Sequence, residues 1–225
     1  MPRLPTSSLL REIAAQEPWQ PEGWERCRRA AIELVEQEAL VEAAFSVRIV
    51  DLDEPAADSM RLEGEVLYAP KLLPEAGELT ALACAVATLG PRLEQRVASL
   101  FAARQASVAI ALDQVGNRLL YSLSRHVQDR MLVAARRRGL TMAGELRPGD
   151  PGLSLQAQGP LLRLARAASI GVSLTVGLAL YPLKSISMVL GAGIDLPPVH
   201  WSRCDECRSR STCTMVERPA EAALA

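Results

Sequence analysis

Three cysteines near the end of the chain have the spacing of a metal-binding segment. Cys204, Cys207 and Cys213 form a C-x2-C-x5-C pattern within a short, arginine-rich stretch. Two thiolates three residues apart can chelate one ion across a tight turn, and a third thiolate supplies another corner of a tetrahedron. His200, Cys27, a water molecule or an atom of a partner could complete the site. The spacing therefore predicts a metal ion or a cluster without deciding which.

The segment from His200 to Cys213 also fits a small zinc knuckle, in which the histidine is the fourth ligand. Cys27 lies on the apolar face of a predicted helix, so a core thiol is the simpler interpretation of that residue. His126 lies among charged residues on another predicted helix and is interpreted as a surface histidine. Five cysteines in a cytosolic chain favour ligands and core thiols over disulfides.

The composition argues against several classes of protein. The chain has 225 residues, a formal net charge of −1 and a hydrophobic content of 49%. A nearly neutral chain argues against nucleic-acid binding as its main activity. The N-terminus lacks the apolar core of a signal peptide, and the longest apolar stretch, Ile170 to Tyr181, is too short to span a bilayer. These features predict a cytoplasmic protein that binds neither nucleic acid nor membranes.

Hydrophobic periodicity divides the chain into four parts. Residues 1–20 have three prolines and little periodicity and are interpreted as an N-terminal arm, and 21–199 as one domain. Residues 200–218 form the cysteine segment and 219–225 a tail. Long helices between short strands favour an α+β domain over a helix bundle. The predicted strands are 45–50, 62–68, 79–89, 172–181 and 185–191, and the predicted helices are 21–44, 91–103, 106–138 and 154–168.

The longest predicted helix, 106–138, has a regular apolar stripe and ends at Gly139. Gly116 lies inside this stripe, where alanine would favour the helix by about 1 kcal/mol. A glycine at such a position indicates the close approach of another element. The stripe consists of Leu112, Val115, Leu119, Leu123, Val127 and Met131.

Three stretches, taken in order, carry a resemblance to a known family. They are Ala87–Pro91 with the helix opening Leu112–Gly116, the turn Arg147–Gln156, and Leu174-Thr175 followed by Pro182 and Ser185–Ser187. Over about residues 80–195 they resemble the activation (reactivation) domain of vitamin B12-dependent methionine synthase and its stand-alone relatives. Stand-alone relatives often add a short C-terminal cysteine segment similar to the one in this chain.

This resemblance implies a curved α+β domain with a twisted antiparallel sheet and long helices. It implies that the chain binds S-adenosylmethionine and docks on a separate corrinoid-binding protein or methyltransferase, which carries the cobalamin. The implied activity is reductive reactivation, in which one electron and a methyl group from S-adenosylmethionine restore methylcobalamin from inert Co(II). The protein contributes mainly the positioning of two cofactors.

The resemblance also implies a set of cofactor-binding residues, namely Asp113, Arg147, Gly149, Ser185 and Ser187. Arg147 is the implied partner of the cofactor carboxylate, because a guanidinium pairs with a carboxylate through two hydrogen bonds. The chain departs from the family's R-x-x-x-G-Y turn, since Glu145 and Asp150 stand at the Arg and Tyr positions. Val176 stands where the family has a glutamate.

Two hypotheses of different classes follow. In the first, the protein is a corrinoid reactivation factor, an iron–sulfur cluster at the cysteine segment supplies the electron, and a small electron-transfer protein is a further partner. In the second, it is a non-catalytic, zinc-stabilised adaptor that retains the fold. The motif order and the cysteines favour the first, and the missing Arg and Tyr favour the second. The sequence lacks the motifs of hydrolases, kinases and dehydrogenases.

We predict that Cys204, Cys207 and Cys213 bind one metal centre together. Replacing any one of them with serine should remove most of the bound metal, because each thiolate is a ligand, whereas Cys84→Ser should leave the metal content unchanged. Metal analysis of anaerobically purified protein measures this, and broad visible absorbance distinguishes an iron–sulfur cluster from zinc. Equal metal content in the wild type and the triple variant would contradict the prediction.

Overall fold

The computed structural model describes residues 4–14 and 24–199, which form five α-helices and eight β-strands. The helices are α1 (Thr6–Ala14), α2 (Glu25–Gln37), α3 (Arg92–Ala102), α4 (Ala106–Arg137) and α5 (Gln158–Leu164). The strands are β1 (Ala44–Asp51), β2 (Ser59–Leu62), β3 (Glu65–Tyr68), β4 (Glu78–Thr88), β5 (Thr141–Leu146), β6 (Ser173–Leu174), β7 (Leu180–Tyr181) and β8 (Ser185–Ile194). No helix in this part of the chain is both long and apolar enough to cross a membrane.

Four strands form one antiparallel sheet in the order β1, β4, β8, β5. The two central strands, β4 and β8, pair along almost their whole length, from Glu78 opposite Ile194 to Thr88 opposite Ser185. A strand that is buried on both faces has a nearly continuous apolar sequence, and β4 has one. The antiparallel sheet and its helices confirm the predicted α+β class.

Two apolar cores lie on opposite faces of this sheet. On one face lies α4, with α1, α2 and α3 packed against it. On the other face lie the β2–β3 hairpin and α5. All six predicted stripe residues of α4 are buried in the first core, which confirms the predicted helix face. The strand β4 supplies alternate side chains to the two cores, namely Ala83, Ala85 and Ala87 to the first and Leu82, Cys84 and Val86 to the second.

Two of the predicted strands are hairpins in the structure. The interpretation of 62–68 as one strand beside β1 is wrong, because β2 and β3 pair with each other around Glu63 and Gly64. These residues have φ angles of 49° and 80°, and two consecutive positive values form the tight turn of a two-residue hairpin. The neighbour of β1 in the sheet is β4. The predicted strand 172–181 is likewise two short strands, β6 and β7, which pair with each other.

The helix boundaries also differ from the expectations. The predicted N-terminal arm, residues 1–20, contains α1, whose apolar face buries Leu9, Leu10 and Ile13, so an aperiodic arm is the wrong interpretation of Thr6–Ala14. The predicted helix 21–44 ends at Gln37. The predicted helix 154–168 is shorter as well, because Arg166 has a φ of 53° and ends the helical path after α5. The edge strand β5 had no counterpart among the predicted elements.

Gly116 lies where α4 meets α3 and the start of β8. A methyl group at this position would lie 2.9 Å from Leu93 Cδ2 and 3.3 Å from Lys184 Cε. The side chain of Leu93 is fully buried, so it has little room to move away. The structure thereby confirms that Gly116 marks the close approach of other elements.

We predict that Gly116→Val destabilises the protein by about 1–3 kcal/mol, because two branched methyl groups would overpack the contact with Leu93. Thermal or denaturant unfolding measures this change. The matched control is Ser107→Val, which places the same β-branched residue at an exposed position of α4 and should change stability by less than about 0.5 kcal/mol. Equal stabilities for the two variants would show that Gly116 is not constrained by packing.

Candidate functional site

The turn after β5 holds its shape through backbone hydrogen bonds. The amide of Gly149 donates to the carbonyl of Leu153 at 2.9 Å, and the amide of Asp150 donates to the carbonyl of Arg147 at 2.8 Å. The carboxylate of Asp150 in turn accepts a hydrogen bond of 2.8 Å from the amide of Arg147. Gly149 and Gly152 have φ angles of 98° and 94°, which side chains rarely allow. The backbone of Arg147 is consequently held in a fixed position relative to β5.

The side chain of Arg147 is held by a neighbouring carboxylate. Its Nε donates to Glu145 Oε1 at 2.9 Å, and Gln128 of α4 donates to Glu145 Oε2 at 2.6 Å. The Arg147 and Glu145 side chains are only 17% and 23% exposed. The turn therefore presents a guanidinium and a carboxylate side by side, and a hydrogen bond from α4 orients the carboxylate.

A cavity of 350 Å³ lies beside β5, on the side where residues 70–75 pass. Its lining is mostly apolar, with one carboxylate from Glu75, and a volume of this size is within the range of small-molecule pockets. We call it the β5 cavity. It is lined by Leu72, Leu73, Pro74, Glu75, Ala143, Pro197, Pro198 and Val199.

Close backbone approaches join this cavity to the turn. A methyl group at Gly152 would lie 2.8 Å from Lys71 Cδ, so Lys71, which directly precedes the cavity wall, packs over the turn. A methyl group at Gly191 would lie 3.1 Å from Ala143 O, so the glycine allows β8 to lie close to this residue of the cavity wall. The amide of Leu196 donates to Thr141 Oγ1 at 2.7 Å, which anchors the last wall of the cavity to β5.

Asp113, a candidate from the sequence, lies far from this turn. Its Oδ1 is 2.6 Å from Lys184 Nζ, and Asn117 donates a hydrogen bond of 3.2 Å to its Oδ2. The side chain of Lys184 is only 11% exposed. Gln128 is the α4 residue that is bonded to Glu145. It is 15 residues beyond Asp113, or roughly 22 Å along the helix axis. Asp113 and Arg147 therefore do not share one site in this structure.

Ser185 and Ser187 point into the interior of the protein. Ser185 Oγ donates to Thr88 Oγ1 at 2.8 Å, and Gln158 of α5 donates to Ser187 Oγ at 2.8 Å. Both serines lie on the sheet face opposite α4, because Ile186 between them and Met188 after them pack in the α4 core, whereas Val189 lies in the second core. The structure thus places Arg147 and Gly149 together in the turn, puts Ser185 and Ser187 on one face of β8, and keeps Asp113 apart from the turn.

The four predicted metal ligands, His200, Cys204, Cys207 and Cys213, lie outside the described residues. The described chain ends at Val199, in the wall of the β5 cavity. Within the described ranges, no three His, Cys, Asp or Glu side chains are grouped so that they could hold a metal ion. Cys27 is partly buried against the first core. Burial raises the pKa of the Cys84 thiol to about 12, so this cysteine stays protonated and unreactive.

Sequence reasoning missed the parts of this site that come from distant segments. It did not identify β5, and without β5 neither Gln128 nor Ala143 could be linked to the turn. The sequence signal nearest to the cavity is the apolar, proline-containing run Leu72–Pro74, because apolar residues between strands can line a binding groove.

Comparisons with known proteins agree with the architecture. No protein-family model matches the chain, and no curated protein sequence does. Among solved structures, the chain is similar to the crystal structure of the MetH reactivation domain bound to AdoHcy, with a TM-score of 0.62 and 13% sequence identity. The match covers 88% of this chain and 75% of that one. The chain therefore shares the fold of the MetH reactivation domain.

Proposed function

We propose that this protein takes part in the reductive reactivation of a cobalamin-dependent methyltransferase of the methionine synthase type. The observation that carries the proposal is the similarity of its fold to the MetH reactivation domain over most of the chain. The order of the sequence motifs supports it, because the motifs lie on β4, α4, the turn after β5, and β8. The corrinoid would be carried by a separate protein.

The β5 cavity and the turn beside it are the proposed binding site for S-adenosylmethionine. The neighbour of known structure was crystallised with AdoHcy. The donor set of the turn fits the amino-acid end of such a molecule, because Arg147 complements a carboxylate and Glu145 complements an ammonium group. The apolar walls of the cavity fit a nucleoside. When bound, S-adenosylmethionine supplies the methyl group, and the chain itself provides orientation and the exclusion of water.

The cysteine segment is the proposed entry point for the electron. It follows Val199 directly, and Val199 lies in the wall of the β5 cavity. Cys204, Cys207 and Cys213 would hold an iron–sulfur cluster, which would supply one-electron redox chemistry, and a small electron-transfer protein would be the electron donor. The proposal thus joins the cysteines and the cavity in one activity.

The second candidate function is that of a non-catalytic adaptor stabilised by zinc. The observation that favours it is the pairing of the candidate charges, because Arg147 is bonded to Glu145 and Asp113 to Lys184. The carboxylate of a cofactor would have to displace Glu145 from Arg147, or its ammonium group would have to displace Lys184 from Asp113. The adaptor and the reactivation factor differ in whether S-adenosylmethionine binds.

We predict that the protein accelerates the recovery of methylcobalamin on its cognate corrinoid protein. The assay starts from the Co(II) form and supplies reductant and S-adenosylmethionine, and it follows the cobalamin spectrum. We expect the acceleration because a protein that positions two cofactors against each other converts a bimolecular encounter into a step within one complex. A rate equal to that of the control without this protein would count against reactivation and favour the adaptor.

We predict that Arg147→Ala weakens the binding of S-adenosylmethionine about tenfold to a hundredfold. An arginine–carboxylate pair of this kind contributes roughly 1.5–3 kcal/mol, which corresponds to that factor. Isothermal titration calorimetry measures the affinity, and the metal content should stay unchanged. Arg136→Ala, which removes an exposed arginine from the last turn of α4, is the matched control. The absence of binding heat in the wild type at millimolar cofactor would contradict the proposed site.

A further inference from the structure

A second groove lies on the sheet face that α5 covers, and it shares no lining residue with the β5 cavity. Its volume is 500 Å³, and it runs along one continuous stretch of chain, residues 159–174. The floor of the groove is apolar, since Leu162 and Val172 are buried. The rim carries four polar side chains, Arg163, Arg166, Ser169 and Ser173. The groove therefore combines an apolar surface with two cations at its edge.

Arg166 occupies a backbone position at which glycine is favoured. The helix α5 ends at Leu164, and Arg166 has φ 53° and ψ 45°, the left-handed conformation that closes many helices. A side chain is disfavoured there, because its Cβ crowds the following carbonyl. The amide of Arg166 still donates to the carbonyl of Arg163 at 3.0 Å and so closes the helix end. The left-handed backbone at Arg166 therefore carries a conformational cost that glycine would not have.

The donors of the two arginines border the groove. Among the described residues, the Arg166 side chain makes no hydrogen bond or ion pair; the pKa of Glu63 is lowered mainly by Arg48, and Arg166 adds to that effect through its charge alone. Arg163 donates to Glu65 through Nε and Nη2, at 2.5 and 2.7 Å. Its Nη1 lies on the groove side, 3.4 Å from the position that a methyl group on Gly159 would take.

The charge around the groove is positive. From Pro151 to Ile194 the sequence contains no Asp or Glu, and Arg163 and Arg166 of this stretch line the groove. The carboxylates of Glu63 and Glu65 reach this region from the β2–β3 hairpin, and each is neutralised by an arginine. A groove with an apolar floor and an excess of positive charge attracts anions in preference to cations or neutral molecules.

We propose that this groove binds a phosphorylated small molecule of about mononucleotide size. The apolar floor would contact the body of the ligand, and its volume is within the range of small-molecule pockets. The guanidinium of Arg166 and the Nη1 donors of Arg163 bind the phosphate through charge-assisted hydrogen bonds. The hydroxyls of Ser169 and Ser173 add neutral donors at the rim. This site is separate from the proposed S-adenosylmethionine site in both residues and charge.

Calorimetric titration with adenosine 5′-monophosphate tests the proposal, with adenosine and inorganic phosphate as comparison probes. The wild type should bind the nucleotide more tightly than either part, because each part lacks one half of the recognition. Arg166→Gly should weaken nucleotide binding about tenfold to a hundredfold. Its melting temperature should stay equal or rise, because glycine is the favoured residue at this backbone position. Arg147→Ala should leave nucleotide binding unchanged, which separates this test from that of the proposed function.

Several outcomes would overturn the proposal. Equal nucleotide affinity in the wild type and Arg166→Gly would show that Arg166 does not bind the phosphate. Equal affinity for adenosine and the nucleotide would show that the groove does not recognise the phosphate. The absence of binding at millimolar nucleotide would show that the groove is not a nucleotide site. Sedimentation with phosphatidylcholine vesicles that contain phosphatidic acid tests whether the groove binds a lipid headgroup instead. Binding of these vesicles without binding of the nucleotide would assign the phosphate to a lipid headgroup and contradict the small-molecule site.

Discussion

The contact between α4 and the alanines of β4 is the constraint on which the rest of the structure depends. Ala83, Ala85 and Ala87 are fully buried beneath α4, and small side chains at these positions allow a helix of 32 residues to lie close to the sheet. The helices α1, α2 and α3 then pack against α4. A larger residue at any of the three positions would overpack this contact.

The irregularity of β5 determines where the candidate site lies. The pairing of β5 with β8 shifts between Ala143 and Leu146, and Gly144 has a φ of 69°. Such an irregularity redirects the following side chains of an edge strand. Leu146 enters the second core, while Glu145 reaches Gln128 of α4. The turn with Arg147 then starts from a fixed position beside the cavity.

Arginine–carboxylate pairs attach the β2–β3 hairpin to the rest of the second layer. Arg48 of β1 holds Glu63 with bonds of 2.6 and 2.8 Å and also donates to the carbonyl of Leu164 at 2.8 Å. These hydrogen bonds keep the pKa of Glu63 below its usual range. The pair therefore contributes to stability above the ordinary pKa of a glutamate and loses its contribution as acid protonates the carboxylate. The pair of Arg163 and Glu65 joins the same hairpin to α5.

The sequence by itself determined the elements whose signals are local. The apolar stripe of α4, the apolar run of β4 and the Pro–Gly turn at 147–152 can each be recognised within a short window, because periodicity and turn chemistry are properties of neighbouring residues. The α+β class follows from their order. The cysteine segment is also a property of spacing alone, and its metal remains a prediction from that spacing.

Only the tertiary structure decided which of these elements meet. The β5 cavity is built from residues 72–75, Ala143 and 197–199, and no local pattern links three segments so far apart. The pairing of β1 with β4, and not with the β2–β3 hairpin, depended on a two-residue turn at Glu63 and Gly64. Strand register and close approach are set by packing between distant parts of the chain, which is why the sequence could name Arg147 but not the surface beside it.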